Sequence, residues 1–126
     1  MRAVDTNVLV RLIARDEARQ AAAAEAFVER GAWVPQLAVA EFAWVLSTIY
    51  DFDAGEIARA IELLLHHKNL TLEASDVVAR ALETFRSRPS LGFADCLMLE
   101  GARKAGHLPF GTFDRHLAKL EGAQKL

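Results

Sequence analysis

The stretch GAWVPQLAVAEFAWVLSTIY, residues 31–50, decides the reading of this chain. Gly31 is a helix-ending residue. Ala32-Trp33-Val34 is a short apolar run closed by Pro35 and reads as a buried strand. From Gln36 to Tyr50 the chain reads as a helix that is apolar on nearly every face, so it is expected to be covered on more than one side. One carboxylate, Glu41, interrupts it. On a helix Glu41 shares a face with Leu37, Trp44 and Val45.

Outward from this stretch the same unit repeats. Upstream, Ala3-Val4 is a very short strand ending on Asp5-Thr6-Asn7. Thr6 or Asn7 can cap a helix carrying Val8, Leu9, Leu12 and Ile13. Asp16 to Arg30 is alanine-rich and predicts a second helix, ended by Gly31. Downstream, Asp53 to His67 is helical, with Ile57, Ile61, Leu64 and Leu65 on one stripe, and Leu70-Thr71-Leu72 is a third strand. Ser75 is placed to cap a helix whose apolar face is Val77, Val78, Ala81, Leu82 and Phe85. Phe93 to Ala105 is a helix ended by Gly106. A weak strand spans Leu108 to Thr112, with Pro109 at its start or on an edge. A short helix from Asp114 to Leu120 and a last edge strand at the tail, Gln124 to Leu126, complete the pattern. Strands alternating with helices predict an α/β fold, a single domain over 1–126 with a short central parallel sheet sandwiched by helices.

Composition bounds the function. The chain has 126 residues, 52% hydrophobic and 25% charged, enough for one core and too apolar for disorder. Fifteen Lys and Arg against 17 Asp and Glu give a net charge of -2, which excludes nucleic-acid coating by bulk charge. The single cysteine, Cys96, excludes an intrachain disulfide and a Cys-rich zinc module, and it reads as a small core residue. Asp5 and Arg11 interrupt any signal-peptide core, and no run approaches the ~20 apolar residues of a membrane span. A cytoplasmic protein without a membrane partner is expected.

Four carboxylates sit where apolar residues or turns would be expected. Asp5 follows the first strand and Asp114 the fourth; Glu41 and Asp95 each break an apolar helical face. In a parallel α/β sheet ligands collect beyond the carboxyl ends of the strands, where all four could converge. Each also has a plainer use as a cap, a turn former or half of an ion pair, with Arg103 or Lys104 as the partner. As a set they predict a metal site, because converging carboxylates repel one another unless a cation sits between them. Oxygen-only ligands select Mg²⁺ or Mn²⁺.

These residues resemble a known family. Asp5-Thr6-Asn7 after an N-terminal strand, a lone Glu41 in an apolar helix, Asp95 after Gly92-Phe93-Ala94, and Thr112-Phe113-Asp114 together resemble the PIN domain. Within it, the length and layout look like the VapC-type toxins of toxin–antitoxin pairs. The resemblance implies an endoribonuclease dependent on Mg²⁺ or Mn²⁺, with Asp5, Glu41, Asp95 and Asp114 as catalytic metal ligands. It implies supporting roles for Thr6, Asn7 and Thr112. It also implies RNA as substrate, a cognate antitoxin protein as partner, and a homodimer. The run after Asp95, Cys-Leu-Met-Leu-Glu-Gly, is bulkier than the small residues common there.

Two other classes compete. One is a catalytically silent PIN-like module that binds RNA or protein. The other is a small metal-dependent phosphatase, for which a phosphate-binding glycine loop or lysine is missing. His66 and His67 adjoin at a helix end without the i, i+4 spacing of zinc ligands. Trp33 and Trp44 read as core or interface residues. Arg11, Arg15, Arg86, Arg88, Arg103, Lys104, Arg115 and Lys119 are candidates for phosphate contact.

Overall fold

The computed structural model describes residues 1–126. The elements in order are β1 (Arg2–Ala3), α1 (Thr6–Ala14), α2 (Ala18–Val28), β2 (Ala32–Val34), α3 (Gln36–Thr48), α4 (Ala54–His66), β3 (Leu70–Leu72), α5 (Ser75–Ser87), α6 (Phe93–Ala105), β4 (Phe110–Thr112) and β5 (Ala123–Lys125). A single 3-10 turn, Leu117–Lys119, lies between the last two strands. The four middle helices and the second and third strands fall within a few residues of where the sequence puts them.

All strand pairs are parallel. β2 is the centre of a three-stranded sheet, with Ala32 opposite both Arg2 of β1 and Leu70 of β3. β4 and β5 form a separate parallel pair. Parallel neighbours cannot be joined by hairpins, so two helices cross over between β1 and β2 and two more between β2 and β3. Ala32, Val34, Leu70 and Leu72 enter the core, while Trp33 and Thr71 alternate to the other face and are exposed. One core of 31 buried residues runs through the molecule, with Phe42, Leu46, Ile61, Leu64 and Leu99 fully enclosed.

Several helix starts differ from the sequence reading. Asp5, not Thr6 or Asn7, caps α1: its Oδ1 accepts from Val8 N at 3.3 Å. Ser75 is the first helical residue of α5, and the position before it, Ala74, takes a left-handed conformation at φ 50° with no side-chain cap. Asp53 and Glu56 form a reciprocal capping box at α4. At α3 the N-cap is Pro35, which has no side-chain acceptor. Glu73, at the end of β3, supplies one, accepting from Gln36 N at 2.8 Å. That long-range cap ties β3 to the start of α3. Gly106 closes α6 at φ 81°, a conformation that favours glycine. The helix expected from Asp114 shrinks to the 3-10 turn, which follows a turn in which the Asp114 carboxylate accepts from His116 N and Leu117 N.

The apolar surplus of α3 resolves into two faces. Ala38, Val39, Phe42, Ala43 and Leu46 are buried. Leu37 is 70% exposed, Trp44 64% and Ile49 69%. Trp33 and Trp44 are therefore surface residues, and the core reading of both is corrected. The stripe that Glu41 shares with Leu37 and Trp44 faces out, so the Glu41 carboxylate is exposed and carries no burial cost.

Candidate active site

β1 and β2 are parallel, so their carboxyl ends lie at the same edge. Asp5 stands two residues past β1, and Glu41 lies in the second turn of the helix that leaves β2. Asp95 is in the first turn of α6, which packs against α3. Asp114 is two residues past β4. Asp5 and the start of α3 thus lie at the carboxyl edge of the central sheet, where open α/β sheets hold ligands, while Asp114 follows a strand of the separate pair.

The local chemistry of the four is not equal. Asp5 and Asp114 are both caps, each through Oδ1 alone. Capping fixes the rotamer and leaves Oδ2 of each as a free acceptor. The Asp114 turn is braced by Thr112, whose Oγ1 accepts from Asp114 N at 3.0 Å. The amides of Leu117 and His116 hold the Asp114 carboxyl below its usual pKa. Asp95 is half-buried and moves the other way. Burial raises its pKa, and the charge of Asp114 raises it further. Asp95 Oδ2 folds back over the start of α6: a Cβ on Gly92 would stand 3.4 Å from it.

Asp95 and Asp114 are therefore brought within electrostatic reach of each other. No three His, Cys, Asp or Glu side chains gather closely enough to form a closed ligand shell, so the four acids are not drawn together as a set. The feature that unites the four is the absence of an ion pair. Five ion pairs occur, and none involves Asp5, Glu41, Asp95 or Asp114. The plainer reading, in which Arg103 or Lys104 neutralises one of them, is excluded. Arg103 pairs with Glu100 at 3.2 Å and Lys104 with Asp76 at 2.7 Å.

Of the supporting residues, Thr112 acts as described and Thr6 is the half-buried first residue of α1. Asn7 is exposed and lines a groove with Arg11, Gln20 and Phe27 between α1 and α2. Five of the eight candidate phosphate contacts, Arg11, Arg15, Arg86, Arg103 and Lys104, are engaged in ion pairs. Arg88, Arg115 and Lys119 are not. Arg115 adjoins Asp114, and Arg88 opens the loop to Asp95.

Sequence reasoning passed over Glu100, the one buried charged residue, at 7% exposure. It shares α6 with Asp95 but belongs to a different network. Arg103 donates Nε to Glu100 and Nη2 to the carbonyl of Glu121 at 2.7 Å, fastening α6 to the segment before β5. Its apolar neighbours Leu97, Leu99 and Cys96 were the available signal. Cys96 is fully buried as expected. Burial, with the nearby charges of Asp95 and Glu100, pushes its thiol to about 11, so it stays protonated and unreactive.

Six helices around a small parallel sheet define an α/β domain. The chain belongs to the PIN domain family, whose model matches residues 2–123. PIN domains are generally metal-dependent nucleases. No curated protein and no solved structure matches the chain. No helix is long and apolar enough to cross a membrane.

Proposed function

We propose that this protein is an Mg²⁺- or Mn²⁺-dependent endoribonuclease and the toxin of a toxin–antitoxin pair, of the VapC type. The observation that carries the reading is a PIN-family match over residues 2–123 in a chain whose Asp95 and Asp114 lie within electrostatic reach and, like Asp5 and Glu41, form no ion pair. Oxygen-only donors fit a hard divalent cation, and the free Oδ2 atoms of Asp5 and Asp114 suit that role. Asp5, Glu41, Asp95 and Asp114 are the residues that would hold such a cation, which would supply water activation and offset phosphodiester charge. The chain's own part is positional. Thr112 and two amides hold Asp114, and α6 holds Asp95 in a half-buried setting that raises its proton affinity. Arg88 and Arg115, free of ion pairs, are suited to phosphate contact.

A second reading, a silent PIN module, draws on the coupling of only two of the four acids. One assay separates them. Purified protein should cut single-stranded RNA in Mn²⁺ and lose the activity in excess EDTA. Cleavage that persists in EDTA removes the metal mechanism. Folded protein that binds RNA and never cuts it favours the silent module.

The exposed apolar side chains of α3 support partners. A homodimer through part of this helix is expected, with α5 as a neighbour, along with an antitoxin that covers the acidic edge. Sedimentation at micromolar concentration should show a dimer, and Ile49→Glu should shift it to monomer by placing a charge in the contact. A wild-type monomer overturns this part. Growth arrest on expression alone, abolished by Glu41→Gln, is the test of the toxin role.

A further inference from the structure

A pocket of about 350 Å³ opens between α3, α4 and the loop from α5 to α6. It is separate from the acidic edge and adjoins it on two sides. Gly92, Phe93 and Ala94, the residues directly before Asp95, form one wall. Ala40 and Trp44, flanking Glu41 on α3, form the other. Most of its lining is apolar, with four aromatic rings, and the hydroxyls of Ser47 and Ser90 are the polar exceptions.

Its chemistry selects an occupant. An apolar chamber with a few hydroxyls, near the lower end of the ~300–1,000 Å³ range of small-ligand sites, is built for a flat uncharged group. It is too compact for an amphipathic helix. None of its lining residues is charged, so nothing inside would pair with a phosphate, and a nucleobase carries no charge. Trp44 leaves most of its indole open, and stacking on such a face is how single-stranded nucleic acid is held without regard to sequence. Resting on the ribonuclease reading above, we infer that this pocket receives one base of single-stranded RNA beside the scissile phosphate, with Trp44 as its stacking wall. The pocket then sets which phosphate of the strand lies over Asp95, and its two hydroxyls bias the choice of base.

Two measurements test this. In Asp95→Asn, Trp33→Phe protein, where RNA survives and Trp44 is the only indole, a short unstructured RNA should quench the fluorescence saturably. Ala94→Leu, which fills the pocket from an exposed position, should weaken that binding about tenfold, the worth of one stacked base. In the active protein with Mn²⁺, an abasic nucleotide is walked along the same RNA. One position beside the cut should lower kcat/KM about tenfold in wild type and cost nothing further in Trp44→Ala. Because Trp44 and Ala94 are exposed, both variants should fold. Quenching by RNA in a protein that never cleaves upholds the pocket and rejects the nuclease reading. Cleavage with no quenching and no sensitive abasic position does the reverse and overturns the pocket. Quenching by an apolar helical peptide but not by RNA overturns it too, in favour of a protein groove.

Discussion

Asp95→Asn is expected to lower RNA cleavage by about a thousandfold, the scale of losing one preorganised electrostatic contact at a metal site, while raising the melting temperature of the metal-free protein. The two effects share one cause. Burial and the charge of Asp114 raise the Asp95 pKa above its unfolded value. A group shifted in that direction contributes stability that is full below the unfolded pKa and lost as pH rises through the folded one. At neutral pH the ionised Asp95 is therefore a net cost, even at a helix start where the dipole favours negative charge. Asparagine keeps the shape and removes the charge. Asp114 has the opposite sign: its lowered pKa contributes stability above the unfolded value, lost as pH falls.

Thermal melts in EDTA should place Asp95→Asn above wild type at pH 7, with the gap closing as pH falls through the carboxylate range. Adding Mn²⁺ should reverse the order. Binding to the native state alone stabilises wild type by about 2.7 kcal/mol at a hundredfold excess over Kd, and much less in the variant. A general packing defect cannot produce both signs. Melts in which Asp95→Asn is lower in EDTA and gains the full Mn²⁺ shift reject Asp95 as a ligand. The coupled pair makes Asp95 the right residue for this experiment. Asp5 is a poorer choice, because it caps α1 and a change there alters the helix start as well as the charge.

The second large effect concerns the helix that opened the sequence reading. Phe42→Ala should destabilise the protein by about 3–5 kcal/mol, because the ring is fully enclosed and its removal leaves a cavity. Trp44→Ala, two residues away and larger in volume lost, should cost no more than about 0.5 kcal/mol, as for other surface substitutions. Urea unfolding of both variants gives the comparison directly. Similar losses at the two positions would mean that the contact between copies, expected at Ile49, extends over Trp44 and covers the indole.

That pair of residues marks the line between what was legible in the chain and what was not. The strand–helix alternation was written locally: β2 and β3 fall on the residues read as strands, and α3 and α6 begin on the residues read as their starts. Short apolar runs, helix periodicity and Gly106 act over a few residues, so they can be read without a fold. The motifs behind the resemblance are local for the same reason, each acid marking a strand end or a helix face, and the family match over residues 2–123 agrees with the PIN resemblance. Long-range contacts were not legible. A helix that is apolar all round does not announce which side faces the core, so Phe42 and Trp44 looked alike until α4 and α6 were packed against one side. Glu73 capping α3 across 37 residues, and Arg103 drawn to Glu100 and the Glu121 carbonyl, depend on partners brought together by folding. Tertiary structure alone decided that Asp95 and Asp114 are the coupled pair. Charge interaction follows distance in space, and 18 residues of chain, most of α6 and all of β4, stand between them.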